Sequence, residues 1–219
     1  EAVKEHPEMF IGVGTYDPMC ADADKIHERL VHELGFQILK FETSSGGGLM
    51  SYHHPYDLKE VFLPIAKKCE RQNVVMVLDI GSPGMESFQP EAVREIAESC
   101  PKLRIVICHL LAPTLKDHDT GIFEESMHCL QLDNIYFDLA AIPFNVQPET
   151  YPFPTGLAYI KKAAEIVGAD HLLWGTDIPS VLIMNTYEKL INYITESGIF
   201  TPQELGKIFY ENALRVYPF

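Results

Sequence analysis

Short apolar runs alternate with amphipathic stretches along all 219 residues of this chain, and that alternation constrains its fold more than any other feature. The runs are Phe10–Thr15, Phe36–Phe41, Val74–Leu78, Arg104–Cys108, Ile135–Phe137 and Leu172–Trp174. Each is short and nearly continuous in apolar character, as a strand is when both faces of its sheet are covered. Between them lie segments with helical spacing. Asp24–Leu34 carries Ile26, Leu30, Val31 and Leu34 and is closed by Gly35. Leu58–Gln72, Glu91–Ser99 behind Pro90, Ile122–Leu130 and Gly156–Val167 come next, the last stopped by Gly168. Two further helices, Thr186–Ser197 and Pro202–Val216, are expected after the last strand. Strands separated by helices predict βαβ units and a parallel sheet, an α/β fold class. No repeat or linker divides the chain, so residues 1–219 are read as one domain.

The bulk numbers narrow the partners. Hydrophobic residues at 47% and charged residues at 22% are ordinary for a globular protein. A formal net charge of −14 argues against nucleic acid or an anionic membrane surface. A small-molecule substrate is the expected partner, and an anionic one stays open because a local cation can invert the field in a pocket. Cys20, Cys69, Cys100, Cys108 and Cys129 form no C-x-x-C pair, and an odd, irregular set argues against a disulfide framework or zinc knuckle. A reducing, cytoplasmic setting is expected. The chain opens at Glu1 without a methionine or a signal-peptide pattern.

Each run hands over to an ionisable residue at its C-terminal end: Asp17, Glu42, Asp79, His109, Asp138 and Asp177. In parallel α/β folds the C-terminal strand ends share one rim, where barrel enzymes place their chemistry. Several carboxylates brought together resist joint ionisation, and a bound divalent cation removes the conflict. Such an ion also lowers the pKa of its water toward ~7. The plainer reading of any one of these acids is a turn or cap residue, and Asp17 before Pro18 and Asp138 before Ala140 suit it best. A turn rarely selects histidine, so His109 points more firmly to function.

These residues sit in segments that resemble one family. His6–Pro18, with its Pro-x-Met-Phe-x-Gly core and closing Asp17-Pro18, is similar to a segment of the amidohydrolase-related family, a group of metal-dependent hydrolases and decarboxylases. So are Pro101–Leu110, Gly168–Pro179 (with Trp174-Gly-Thr-Asp177-Ile-Pro179) and Glu211–Arg215. The resemblance implies a (β/α)8 TIM barrel in which the six strands here correspond to strands three to eight. It implies one divalent metal ion, Zn²⁺ by family, with Mn²⁺ or Mg²⁺ open. Asp177 would match the strand-eight aspartate, a metal ligand that also accepts a proton from the attacking water. His109 would match the strand-six histidine that polarises substrate or acts as acid/base. Asp79 stands where the family usually has a metal-binding histidine, and could bind the ion or mark loss of the site.

The family's first strand carries a His-x-His pair that nothing in these residues supplies. The chain is therefore expected to lack the first two βα units. His53 and His54 are adjacent, cannot share a strand face, and are read as loop residues. Lys40 and Glu42 share a face, leaving three readings: an interior ion pair, a Glu42 that reaches the substrate, or a carbamylated Lys40. Gly46–Gly48 is expected to form a lid rather than a phosphate cradle. Tyr151–Pro154 is either a rim loop or a contact with a second copy of the chain, and Trp174 is expected in the barrel wall. The expected activity is hydrolysis of an amide or lactone-like bond. Non-oxidative decarboxylation of a small carboxylic acid on the same residues is the near alternative. A degenerate barrel that binds without turnover is the distant one.

Overall fold

The structure, a computed structural model, describes residues 2–218. Five parallel strands form one sheet: β1 (Ile38–Glu42), β2 (Val75–Asp79), β3 (Ile105–Ile107), β4 (Ile135–Asp138) and β5 (Leu172–Leu173). They lie in chain order, each hydrogen-bonded to the next. Helices return the chain between strands: Leu58–Gln72, Pro90–Ser99, Ile122–Cys129 and Pro154–Val167, each packed against the next. The result is a parallel α/β sheet with an outer helical layer, the larger part of a barrel wall.

Local chemistry sets these elements. Asp57 accepts hydrogen bonds from the backbone N–H groups of Lys59 and Glu60, capping Leu58–Gln72, and Asn73 ends that helix in a left-handed conformation. Leu58, Phe62, Ile65, Ala66 and Cys69 give the helix its buried stripe. The expected C-terminal helix exists as a continuous run of three parts, Pro202–Gly206, Lys207–Glu211 with a wider π turn, and Asn212–Val216. A similar π turn, Arg29–Glu33, continues the helix Ala23–Glu28.

Phe10–Thr15 departs from expectation. It touches the sheet through one parallel bridge, Gly14 to Leu39, in place of a strand. Gly14 donates to the carbonyl of Ile38 at 2.9 Å and accepts from Lys40 N–H at 2.9 Å. The glycines explain both halves of this result. They weaken a strand, and the absence of a Cβ at Gly14 leaves room for the buried Leu39 side chain, whose Cδ2 would lie 2.9 Å from such a Cβ.

Alternation along the strands divides the side chains into two cores. Leu39, Phe41, Met76, Leu78, Ile105, Ile107, Ile135, Phe137 and Leu172 join the large core under the helices. Ile38, Val75, Val77, Val106, Cys108, Tyr136 and Leu173 form a smaller one on the other face, which is the barrel interior. The same parity carries Lys40, Glu42, Asp79 and Asp138 onto the interior side, and the register sets Glu42 beside Asp79. Below the rim, Ile11, Val13, Ile38, Lys40, Val77, Cys108, Asp138 and Tyr217 line an interior cavity of 380 Å³.

Candidate active site

By parity, His109 belongs on the helix side: Ile107 faces the outer core and Cys108 the interior. The chain breaks that parity immediately after β3. His109, Leu110, Leu111 and Ala112 all adopt left-handed backbone angles, with φ of 58°, 52°, 66° and 44°. L-residues disfavour this region by roughly 1–2 kcal/mol each. Burial offsets much of the cost: Leu110 and Leu111 are buried in the outer core, and each contributes about 1.5–3 kcal/mol by leaving water. The turn also closes on itself, with Ala112 N–H donating to the His109 carbonyl at 2.8 Å. Its effect is to swing the His109 imidazole back over the rim.

There it meets two carboxylates. His109 Nε2 lies 3.4 Å from Asp79 Oδ2, and Nδ1 lies 3.8 Å from Asp138 Oδ1. Asp79 also accepts from Gly81 N–H at 2.9 Å. Asp138 accepts from the backbone N–H groups of His109 at 2.8 Å and Ala140 at 3.0 Å. Side chains here are between 13% and 17% exposed, so water screens them weakly.

The charges reflect this. For His109, burial opposes protonation, but the hydrogen bond with Asp79 and the charges of Asp138, Asp79 and Asp177 outweigh it and raise its pKa. For Asp79, burial favours the neutral acid, but the hydrogen bond and charge of His109, Gly81 N–H and Lys40 outweigh it and hold the carboxyl low. Lys40 behaves likewise: burial opposes its charge, while Cys108, Asp138, Asp79 and Asp177 raise its pKa. Burial pushes the Cys108 thiol well up. The site thus sets an imidazole whose protonated form is favoured, and an ammonium, among carboxylates.

The structure brings together some of the residues nominated from sequence and separates others. His109 and Asp79 come together. Asp177, in the loop after β5 with φ 62°, acts on His109 and Lys40 through its charge, and among the described residues it makes no ion pair within 4 Å. Glu42 is joined neither to His109 nor to Lys40, so the Lys40–Glu42 ion pair does not form; Lys40 instead lines the cavity beside Asp138. Glu42 faces a separate 280 Å³ hollow lined by Thr15, Tyr16, Asp17, Gly48, Leu49 and Tyr52. Asp17 does cap its turn, accepting from Met19 N–H at 2.9 Å, and also binds His53 Nε2 at 2.9 Å. That contact ties the glycine loop to the end of the preceding segment. Trp174 stacks on Phe209 at 5.1 Å between ring centres.

Sequence reasoning undervalues Asp138, which is a cap to Ala140 and at the same time a partner of His109. Its parity with Asp79 is the available signal.

A structural or catalytic zinc ion takes at least three protein donors. Asp79, Asp177 and His109 offer suitable oxygen and imidazole chemistry, but among the described residues no three His, Cys, Asp or Glu side chains gather closely enough to hold an ion. Two of the three donors are engaged with each other. The described residues do not by themselves build a metal centre.

A family model for amidohydrolases matches residues 1–219. The chain belongs to the amidohydrolase family. Among solved structures, an amidohydrolase from Burkholderia multivorans with bound zinc superposes with a TM-score of 0.73 at 15% identity, over 98% of this chain and 75% of that one. A protein assigned as a 2-pyrone-4,6-dicarboxylic acid hydrolase from Pseudomonas putida gives 0.70 at 17% identity, over 98% and 74%. The 5-carboxyvanillate decarboxylase of Sphingomonas paucimobilis gives 0.67 at 14% identity, over 99% and 69%. At these identities the likeness establishes the shared fold. No curated protein sequence matches the chain.

Proposed function

We propose that this amidohydrolase-family chain hydrolyses an amide or lactone-like bond in a small organic acid. One observation carries the reading: an imidazole held between two carboxylates at the ends of β2 and β4, within the field of a third at Asp177. Asp177, with no ion-pair partner among the described residues, is the proton acceptor for the attacking water. His109, whose protonated form its carboxylate neighbours favour, donates to the carbonyl oxygen or the leaving group. Lys40, charged and facing the cavity, offers a counter-ion for a carboxylate of the substrate. Solved structures of this fold include the protein assigned as a pyrone-dicarboxylic acid hydrolase, which supports an acid as substrate class. Asp177 and Asp79 are also the residues we nominate to contact a divalent ion, with zinc bound in the Burkholderia protein as support. Two carboxylates leave such a shell incomplete.

Decarboxylation is the second reading, and the setting of His109 between two carboxylates favours it: once CO₂ departs, the carbon it leaves needs a proton, and an imidazole whose protonated form is favoured can deliver one. A panel of small lactones, amides and aromatic acids, assayed in parallel for acid release and for CO₂, separates the two. Acid release abolished in His109→Gln supports the hydrolase. CO₂ evolution without hydrolysis moves the assignment to a lyase, and no turnover of either kind, with or without added Zn²⁺ or Mn²⁺, overturns both.

A further inference from the structure

The geometry points to Asp138 as a positioning residue for His109: it holds the left-handed turn that puts the imidazole at the rim. The inference rests on His109 being the proton-handling residue of the proposed site. Three observations meet at this carboxylate. Strand parity would send His109 to the helix side, and the reversal occurs at a residue whose own backbone N–H donates to Asp138 Oδ1, at 2.8 Å. The same oxygen takes Ala140 N–H at 3.0 Å, so it ties the turn after β3 to the turn after β4. It also lies 3.8 Å from His109 Nδ1, the buried ring nitrogen that has no hydrogen-bond partner among the described residues.

A cap that served β4 alone would need only the Ala140 contact. The second N–H comes from a residue 29 positions earlier, with φ 58°, a conformation that non-glycine residues hold only when their surroundings impose it. Burial of Leu110 and Leu111 anchors the far side of the turn. Asp138 anchors the near side, where the imidazole leaves the backbone. Asp138 acts through His109, and Asp79 sets the other edge of the ring.

The test needs no substrate, so its outcome is separable from that of the proposed activity. The full chain, labelled with ¹⁵N, gives histidine ring signals, and His109→Gln identifies those of His109. In Asp138→Ala the ring signals should move toward those of a solvent-exposed imidazole. The amides of His109 and Ala140 should exchange about 10- to 100-fold faster, as expected for loss of a hydrogen bond to a charged acceptor. Asp138→Asn keeps an acceptor oxygen for both N–H groups and should restore slow exchange and most of the ring signature, which a purely electrostatic role would not. If Asp138→Ala does not fold, Ala112→Gly, which relieves the left-handed strain at φ 44°, supplies the background for the same comparison. Unchanged His109 exchange and ring signals in Asp138→Ala would overturn the assignment. So would an Asn variant as disturbed as the Ala variant.

Discussion

His109 and Asp79 hold each other across two neighbouring strand ends, Nε2 to Oδ2 at 3.4 Å, with both side chains largely out of water. Each moves the other's protonation in the stabilising direction: the histidine's pKa is raised and the aspartate's is lowered.

A pH window of stability arises from the pair. A raised histidine contributes stability that is complete below its unfolded pKa of about 6.5 and fades as pH climbs through its higher folded value. A lowered aspartate contributes stability that is complete above its unfolded pKa of about 3.9 and fades as pH falls through its lower folded value. Urea unfolding of the wild type should therefore lose part of its free energy on the alkaline side of the ordinary imidazole range, and part again in strong acid. Asp79→Asn should shrink the alkaline limb by removing one of the partners that raise His109, leaving the charges of Asp138 and Asp177. An alkaline limb unchanged in that variant would show that His109 is not coupled to Asp79.

Strand parity explains how much of this site is legible in the sequence. The alternation within Ile38–Glu42 and Val75–Asp79 suffices to place Lys40, Glu42 and Asp79 on one face, and the structure puts them there. The run of apolar strands separated by helices likewise predicts the parallel sheet. Residue type alone singles out His109, yet parity assigns it to the wrong face. Only the turn at His109–Ala112 corrects it, and Leu110, Leu111 and Ala112 give no sequence sign of positive φ as glycine would. The contact of Asp17 with His53 spans 36 residues and has no local signal at all. At Phe10–Thr15 the apolar pattern predicts a strand, and the two glycines prevail over it in the fold.

Asp177 should separate activity from stability. Among the described residues its carboxylate makes no ion pair, and its only hold on the site is its charge on His109 and Lys40. Asp177→Asn should reduce kcat at least ~100-fold, the usual scale for loss of a general base. The melting temperature should stay within a degree or two, because an unpaired rim charge contributes little to stability. Full activity in this variant, on any substrate the wild type turns over, would remove Asp177 from the mechanism.

Asn212 carries the opposite balance. It lies in the segment Glu211–Arg215 that resembles a family motif, yet its role is architectural. Its Nδ2 donates to the carbonyls of Ala169 at 2.7 Å and Leu172 at 2.8 Å, and the residue is 1% exposed. The two bonds fasten the C-terminal helix to the start of β5. Asn212→Leu leaves both carbonyls without their donor, at about 1–3 kcal/mol each. A melting temperature lowered by several degrees is expected, at about 2–4 °C per kcal/mol for a chain of this size. A drop under about 2 °C would mean that the carbonyls find other partners.

The glycine loop after β1 offers a graded test of backbone packing. A Cβ on Gly48 would meet backbone atoms, Glu42 O at 2.5 Å and Ser44 N at 2.8 Å, which cannot swing aside. A Cβ on Gly46 would meet Met85 Cε at 3.0 Å, the end of a flexible side chain. Gly48→Ala should therefore cost about 1–3 kcal/mol in urea unfolding, the scale of overpacking. Gly46→Ala should stay within about 0.5 kcal/mol of wild type, as surface changes usually do. The order matters more than the sizes. If both variants were equally mild, the loop would have room to move away from Glu42, and the lid expected from Gly46–Gly48 would be the better description of it. If Gly48→Ala alone is costly, the loop is a packed wall of the hollow that Glu42 faces.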